Sequence, residues 1–404
     1  MGKQQQTKSS GACMDNSEII DLVKKNVRFF MGDRWFKVEE IGDGNNNFVY
    51  RINDVIGRKG VIVKQALPYL RVAGESYKLT DLRSNREMHA LVMFNEILPG
   101  SAPRVLYFDD AKKTIIMEDL SAMSIMRYEM MRMKIFADFP KAMGGMLASL
   151  AFMTSDLYLD SEQKKQNVAK YLNPELCTLV EKLVFTEPFY DAPDNKVGPE
   201  IRETVEGIWN DVLICREAAR MKLVYLTKAQ SFIHGDLHTG SIFVKEKECK
   251  MFDPEFAFYG PSGYDSGVLL ANFLLNIASW DGRSDINPGE KSDYRDYILN
   301  LAVDTYSEFE RRFREMYDDS AKPEFKNVKG LRDAYLCDIA KDTIGFAACE
   351  IIRRIIGLAR VPDIESVRDA AGKAKAQKTA LYMARSLFEH TDDRDVETLL
   401  KSFL

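Results

Sequence analysis

The chain has 404 residues, 46% of them hydrophobic and 29% charged, with 56 Lys and Arg against 61 Asp and Glu for a formal net charge of −5. This is ordinary globular composition with ample apolar material for a core, which excludes a disordered chain and implies two or three domains, or two lobes around a cleft. The mild acidity excludes a general nucleic-acid or anionic-membrane binder, and the six cysteines, with no CxxC pair, exclude a disulfide framework or zinc ribbon and fit reduced thiols.

Residues 1–16 read as a disordered tail: they lack the apolar stretch of a signal peptide, and Gln6 stands where a myristoylation motif wants Ser or Thr. Ser17 to Phe30 has helical period, with Asn16 or Ser17 as its cap. Phe36 to Ile52 alternates around a Gly/Asn cluster, two strands and a turn, and the β-branched run Gly60 to Ala66 predicts a third strand. Leu70 to Lys78 reads as a loop, Asp81 to Glu96 as a helix closed by Pro99-Gly100, and Val105–Phe108 with Thr114–Met117 as a hairpin.

After residues 118–121, a hinge, the texture changes. Residues 122–230 are helical in period apart from a polar, Pro-containing break at Glu187–Pro199, a single hairpin follows (Ser241–Val244 and Cys249–Phe252), and helices resume from Gly267. The longest strongly apolar run, Val268 to Trp280, is too short and, with Asn272 and Asn276, too polar to span a bilayer. The expected fold class is α+β: a small antiparallel-sheet lobe over 17–117 and a larger, mainly helical lobe over 122–404. A cleft at the linker is the expected ligand site.

The chemistry-bearing residues lie along this frame. In Ile41-Gly-Asp-Gly-Asn-Asn-Asn-Phe48, Gly42, Gly44 and Asn45 to Asn47 permit left-handed backbone whose N–H groups can face phosphates, although Asp-Gly is also a common hairpin turn. Lys64 ends an apolar strand, where it is either solvated or the cation for α/β-phosphates, and Glu87 on the next helix is its candidate carboxylate. The loop Phe232-Ile-His-Gly-Asp-Leu-His-Thr-Gly-Ser241 sets Asp236 where it can orient a hydroxyl or accept its proton, with His234 in a structural role. A zinc reading of His234 and His238 fails for want of a helix and a Glu.

Seventeen residues after Asp236, in Met251-Phe-Asp-Pro-Glu-Phe256, extended backbone would point Asp253 and Glu255 to one side, a pair suited to Mg²⁺ held together with nucleotide phosphates. Asp265 could cap the following helix and hold the Asp236 loop. In Glu350-Ile-Ile-Arg-Arg-Ile-Ile-Gly357, Arg353 and Arg354 are 100° apart on a helix. Either they form a surface ion pair or one of them reaches into a cleft.

The order glycine-rich hairpin, strand lysine, helix glutamate, linker, HGD loop, hairpin, DxE resembles protein-kinase-like phosphotransferases of the aminoglycoside phosphotransferase and choline kinase branch. Within it, Gly42-Asp-Gly-Asn45, Lys64 to Ser76, Met117-Glu-Asp-Leu-Ser121, His234-Gly-Asp-Leu-His-Thr-Gly-Ser241, Asp253-Pro-Glu-Phe-Ala-Phe-Tyr-Gly-Pro261 and Arg353-Arg-Ile-Ile-Gly357 are similar to the 5-methylthioribose kinase family. The resemblance implies ATP- and Mg²⁺-dependent phosphorylation of the 1-hydroxyl of 5-methylthioribose, in methionine salvage, by a cytoplasmic homodimer. Carried over, Gly42, Gly44, Asn45 and Lys64 contact ATP phosphates, and Glu118, Asp119 and Leu120 hold adenine through linker backbone. Asp236 is catalytic, Asp253 and Glu255 bind the metal, and Arg353 and Arg354 hold the sugar or the migrating charge. Ser241 stands where most of the superfamily places a metal-binding Asn, Tyr77 where the family usually has Trp, and Ala122 where it often has His. The alternatives are another small sugar, an aminoglycoside or a choline-like acceptor on the same fold, or an inactive nucleotide-binding protein.

Overall fold

A computed structural model describes residues 13–30, 35–41, 47–55, 59–70, 74–78, 80–391 and 395–403. By its internal contacts the chain divides into two units, Met1–Met123 with Phe252–Glu255, and Ser124–Met251 with Phe256–Leu404. The boundary therefore falls a few residues beyond 118–121, and the Asp253–Glu255 segment, read from sequence as part of the helical lobe, groups with the first unit.

In the first unit, helix α1 (Asn16–Asn26) precedes strands β1 (Phe36–Glu40), β2 (Asn47–Asp54) and β3 (Gly60–Ala66), the short hairpin β4 (Tyr69–Leu70) and β5 (Gly74–Lys78), helix α2 (Arg83–Ile97), and strands β6 (Val105–Asp109) and β7 (Thr114–Glu118). The sheet order is β1-β2-β3-β7-β6, every pair antiparallel. Leu70–Lys78, expected as a loop, thus contains a hairpin whose two-residue first strand is too short to show alternation. The cap of α1 is Asp15 rather than Asn16 or Ser17: its carboxylate accepts from Glu18 N at 3.0 Å while Glu18 Oε2 accepts from Asp15 N at 2.9 Å. Met14, inside the expected tail, is buried, and its N–H donates to Gln65 Oε1 at 3.1 Å. Ile19, Val23, Phe30, Ile52, Val61, Val63 and Ile116 form the core on one sheet face. Lys64, out of phase with Val61 and Val63, points to the face that α2 covers.

The second unit begins with β8 (Ser124–Ile125) and continues through helices α3 (Met126–Met130), α4 (Phe139–Met153), α5 (Ser161–Lys170), α6 (Pro174–Phe185), α7 (Arg202–Trp209) and α8 (Val212–Thr227). Strands β9 (Ser231–Ile233), β10 (Ile242–Lys245), β11 (Glu248–Met251) and β12 (Phe258–Gly260) follow. Helices α9 (Tyr264–Asp281), α10 (Pro288–Ser320), α11 (Pro323–Lys326), α12 (Leu331–Ile356), α13 (Pro362–Glu365), α14 (Ala370–Glu389) and α15 (Val396–Lys401) complete it. The expected single hairpin is β10–β11, extended by β8 into three strands, and β9 pairs antiparallel with β12. The last pair spans three residues on each strand, too few for a periodic signal. Helix α9 is buried from Tyr264 to Trp280 and packs on α10, α12 and α14, as an all-round apolar helix must.

Candidate active site

Both units carry buried ionic groups. In the first, Lys64 Nζ lies 2.8 and 2.7 Å from the two Glu87 oxygens and also bonds Asp253 Oδ1. Burial alone would lower the Lys64 ammonium, but Asp253, Glu87 and Glu255 overcome it and hold it well above the ordinary lysine range. Burial pushes the Glu87 carboxyl up to about 7 against the downward pull of Lys64. Arg83, one turn before Glu87 on α2, donates through Nε to Asn47 Oδ1 at 3.2 Å and stands 3.6 Å from Glu255 Oε2, which also accepts from Asn47 Nδ2 at 3.3 Å. Its Nη1 donates to the carbonyls of Leu67 and Thr80 at 2.9 and 2.6 Å.

Asp253 and Glu255 do not alternate along one extended segment, because Asp253 has φ of +64° and breaks it just before Pro254. A non-glycine residue in this region is strained by about 1–2 kcal/mol, the kind of cost found at functional sites. The two carboxylates differ as a result: the Asp253 side chain is 43% exposed, the Glu255 side chain 4%. No group of three or more His, Cys, Asp or Glu among the described residues forms a metal cage by itself. One or two carboxylates completed by nucleotide phosphates is nevertheless a donor set that suits Mg²⁺, so the residues present fit that ion.

In the second unit, Asp236 sits in the turn between β9 and β10. The turn is held from behind by Asp265, whose carboxylate accepts the backbone N–H groups of His234 at 2.6 Å and Gly235 at 3.0 Å. Burial raises the Asp265 carboxyl above its ordinary range, opposed by His234 and these donors. Asp265 does not cap α9: the cap is Gly263, with no side-chain bond, and Asp265 lies inside the first turn. Gly235 has φ of +82°, and a Cβ there would meet Phe256 O at 2.3 Å, so the turn requires glycine.

Asp236 Oδ1 accepts from Arg353 Nη2 at 3.1 Å, with Arg354 Nη2 at 3.7 Å, and Asp236 Oδ2 lies 3.6 Å from His238 Nε2. Ser241 Oγ donates to Asp236 O at 3.1 Å and contacts His238 Nδ1 at 3.0 Å. Burial, with the charges of Arg127 and Arg354, keeps the His238 imidazole well below its usual range and so neutral. Both arginines are buried, not one, because Glu350 serves both: Arg353 Nε bonds Glu350 Oε2, and Arg354 Nε donates to Oε1 at 2.7 Å. The i+3 and i+4 spacings place both on the glutamate's side of α12.

The Phosphotransferase enzyme family profile matches residues 173–296. The chain is 40% identical over 349 residues to the methylthioribose kinase of Geobacillus sp. (strain WCH70), covering 86% of this chain and 84% of that one. The chain belongs to the methylthioribose kinase family. It is also 37% identical over 373 residues to the methylthioribose kinase of Exiguobacterium sibiricum, covering 92% of this chain and 93% of that one. Among solved structures, a choline kinase from Cryptosporidium parvum is similar with a TM-score of 0.47 at 13% identity, covering 96% of this chain and 98% of that one.

The remaining sequence-derived site residues fall as follows. Gly42, Gly44 and Asn45 lie outside the described residues. Glu118 ends β7 and its Oε2 accepts from Arg104 N at 3.1 Å; Asp119 Oδ1 accepts from Ser121 N at 2.9 Å; Leu120 is buried, its carbonyl accepting from Met123 N at 2.8 Å. Ala122 is exposed in that turn, and Tyr77 falls in β5. Four buried residues escaped the sequence reading: Asn47, Arg83, Glu350 and Arg127. Spacing held a signal for two of them, since Arg83 lies one turn from Glu87 and Glu350 one turn from both arginines. Asn47 looked like the end of a turn, and Arg127 like any arginine on a short helix.

Proposed function

We propose that this chain is a kinase that transfers the γ-phosphate of ATP to the 1-hydroxyl of 5-methylthioribose, releasing 5-methylthioribose 1-phosphate and ADP. The observation that carries the reading is the 40% identity to a curated methylthioribose kinase over 86% of the chain. In this reading the first unit takes the nucleotide: Lys64, steadied by Glu87, faces the phosphates, Gly42, Gly44 and Asn45 contribute phosphate contacts, and the linker 118–121 holds adenine through its backbone. Asp253 would be the principal Mg²⁺ ligand with Glu255 beside it, and the bound ion would offset charge on the β- and γ-phosphates.

The second unit takes the acceptor. Asp236 aligns the 1-hydroxyl, whose oxygen attacks the γ-phosphorus as the bond to the ADP oxygen breaks, and the hydroxyl proton passes to the carboxylate. Alignment rather than early proton removal is the main work of Asp236, because an anomeric hydroxyl is more acidic than an ordinary alcohol and needs no more. Arg353 and Arg354 offset negative charge as it develops. The guanidinium ends around Asp236 disfavour a cationic acceptor such as choline or an aminoglycoside. We place the enzyme in the cytoplasm as a homodimer, following the resemblance. Among the described residues no helix is long and apolar enough to cross a membrane.

The test is a panel of acceptors with purified protein and Mg-ATP. Methylthioribose should be phosphorylated far faster than ribose, choline or kanamycin, and Asp236→Ala should abolish turnover while leaving the circular dichroism spectrum unchanged. A panel won by another acceptor overturns the substrate, and full activity in Asp236→Ala overturns the role of Asp236.

A further inference from the structure

Arg127, the second residue of α3, is 7% exposed and takes no part in the chemistry described above. Its Nε donates to Thr239 Oγ1 at 3.2 Å and stands 3.4 Å from Asp363 Oδ2, and its Nη2 donates to Asn272 Oδ1 at 2.6 Å. Asp363 on α13 is fixed in turn by Asn276 Nδ2 at 2.8 Å, and Asn276 Oδ1 accepts from Trp280 Nε1 at 3.0 Å. Thr239, Asn272, Asn276, Trp280 and Asp363 are all buried. Three helices, α3, α9 and α13, thus contribute to a polar network that ends on Thr239.

Packing alone does not call for such a network, since apolar residues of similar volume commonly stabilise a core at least as well as a buried ion pair. Its position is informative instead. Thr239 opens the single helical turn 239–241 that follows Asp236, and that turn is bonded to the carboxylate's own residue. His238 N donates to Asp236 O at 3.0 Å, Ser241 N to His238 O at 2.8 Å, and Ser241 Oγ to Asp236 O at 3.1 Å. A second point of contact lies at Gly240, where a Cβ would stand 2.8 Å from Arg127 Nη1 and 2.9 Å from His238 Cε1. The guanidinium therefore backs the loop at both Thr239 and Gly240.

We propose that Arg127 is a positioning residue for phosphoryl transfer: by joining Thr239 to Asp363 and Asn272 it holds the loop 236–241, and through it Asp236, in the arrangement that aligns the acceptor hydroxyl. The proposal rests on the reading of Asp236 as the aligning carboxylate. A second consequence is electrostatic. Together with burial and Arg354, Arg127 keeps His238 neutral, so the guanidiniums of Arg353 and Arg354 are the cations facing Asp236.

The experiment compares Arg127→Lys, Thr239→Val, the double variant and Asp236→Asn in the full chain. Lysine keeps the charge near Asp363 but cannot also reach both Thr239 and Asn272. In folded Arg127→Lys, kcat should fall about 100-fold, as a misplacement of about 1 Å does, with KM for ATP within about twofold. Thr239→Val, which removes one hydroxyl at constant shape, should lower kcat about tenfold and have no further effect in the Arg127→Lys background. A purely structural role would lower stability and leave kcat per folded molecule unchanged. The His238 ring gives a second readout, resolvable because the chain has four histidines. In Arg127→Met its NMR titration should move up towards 6.5, while Arg353, Arg354, Glu350 and Asp236 still face it. Wild-type kcat in folded Arg127→Lys and in Thr239→Val, with Asp236→Asn inactive, overturns the proposal. Wild-type kcat in Asp236→Asn overturns instead the reading of Asp236 beneath it.

Discussion

Replacing Glu350 by glutamine removes a buried carboxylate that accepts from the Nε of two buried guanidiniums. Glu350 is 0% exposed, and Arg353 and Arg354 are buried beside it. Its oxygens accept the two Nε–H groups, which leaves each Nη2 directed at Asp236 Oδ1, at 3.1 and 3.7 Å. Glutamine has the same shape but offers one acceptor oxygen, and its amide N–H₂ faces the other guanidinium donor to donor. Removing one partner of a buried ion pair costs about 3–5 kcal/mol, and the retained oxygen puts the expected loss at the lower end, about 3 kcal/mol. The same change releases the Nη2 atoms from their aim. Losing a well-placed donor to developing charge costs about 10²–10³ in turnover, so kcat should fall by about 10² or more while KM for ATP changes little. Urea unfolding followed by circular dichroism measures the first effect, and steady-state kinetics at saturating Mg-ATP the second. Stability within about 1 kcal/mol of the parent together with kcat within about threefold would refute the reasoning, because a glutamate that orients nothing and balances nothing can be neutralised at that small cost.

Three further outcomes follow from the same geometry. Gly235→Ala should lose at least about 2 kcal/mol of stability in the same urea assay, since it adds left-handed strain to a 2.3 Å approach to Phe256 O; parental stability would mean that the turn is not held as described. Lys64→Met should raise KM for ATP or lower kcat by about 10², and should destabilise the protein more at pH 8 than at pH 6. Without its cation Glu87 rises further from about 7, and an acid raised by folding contributes stability that is present below its unfolded value and lost as pH rises through the folded one; an equal loss at both pH values would contradict this. The neutral His238 works in the opposite direction. A folded value depressed well below 6.5 makes its contribution complete above that pH and progressively lost below it, by up to about 1.4 kcal/mol per pH unit. His238→Gln should remove that part of the acid slope in a urea series between pH 7 and 5, and an unchanged slope would assign it to other groups.

Much of the molecule is legible in local patterns. The strands flanking the Gly/Asn cluster, the β-branched run that carries Lys64, the helix that carries Glu87 and the hairpin after the HGD loop all announce themselves through periodicity and turn residues. Those signals extend over four or more residues and do not depend on the rest of the chain. Features a few residues long were not legible: the β9–β12 pair and the strand β8 exist because a distant partner supplies their hydrogen bonds, and the β4–β5 hairpin has a first strand of two residues and an irregular register. The cap of α1 at Asp15 lies one or two residues before the expected Asn16 or Ser17, because Asp15, Asn16 and Ser17 are all competent caps and the reciprocal bond with Glu18 decides among them.

The sequence by itself determined which residue types stand in which order, and with them the family: a strand lysine, a helix glutamate, HGD, DPE and twin arginines at these spacings are chemically specific whatever their surroundings. Tertiary structure alone decided how those groups are charged and paired. Asp253 leaves the extended conformation and stays half in solvent while Glu255 is buried on Arg83 and Asn47, a difference that spacing cannot express because it arises from backbone torsion and from residues about 170 to 210 positions away. Glu350 turns two adjacent arginines from a surface pair into a buried pair facing Asp236, and Arg127 meets Thr239 with its guanidinium held by Asn272 of α9 and Asp363 of α13. Buried charge is costly unless it is matched, so the partners that match it are chosen by proximity in space and leave little mark on the local sequence.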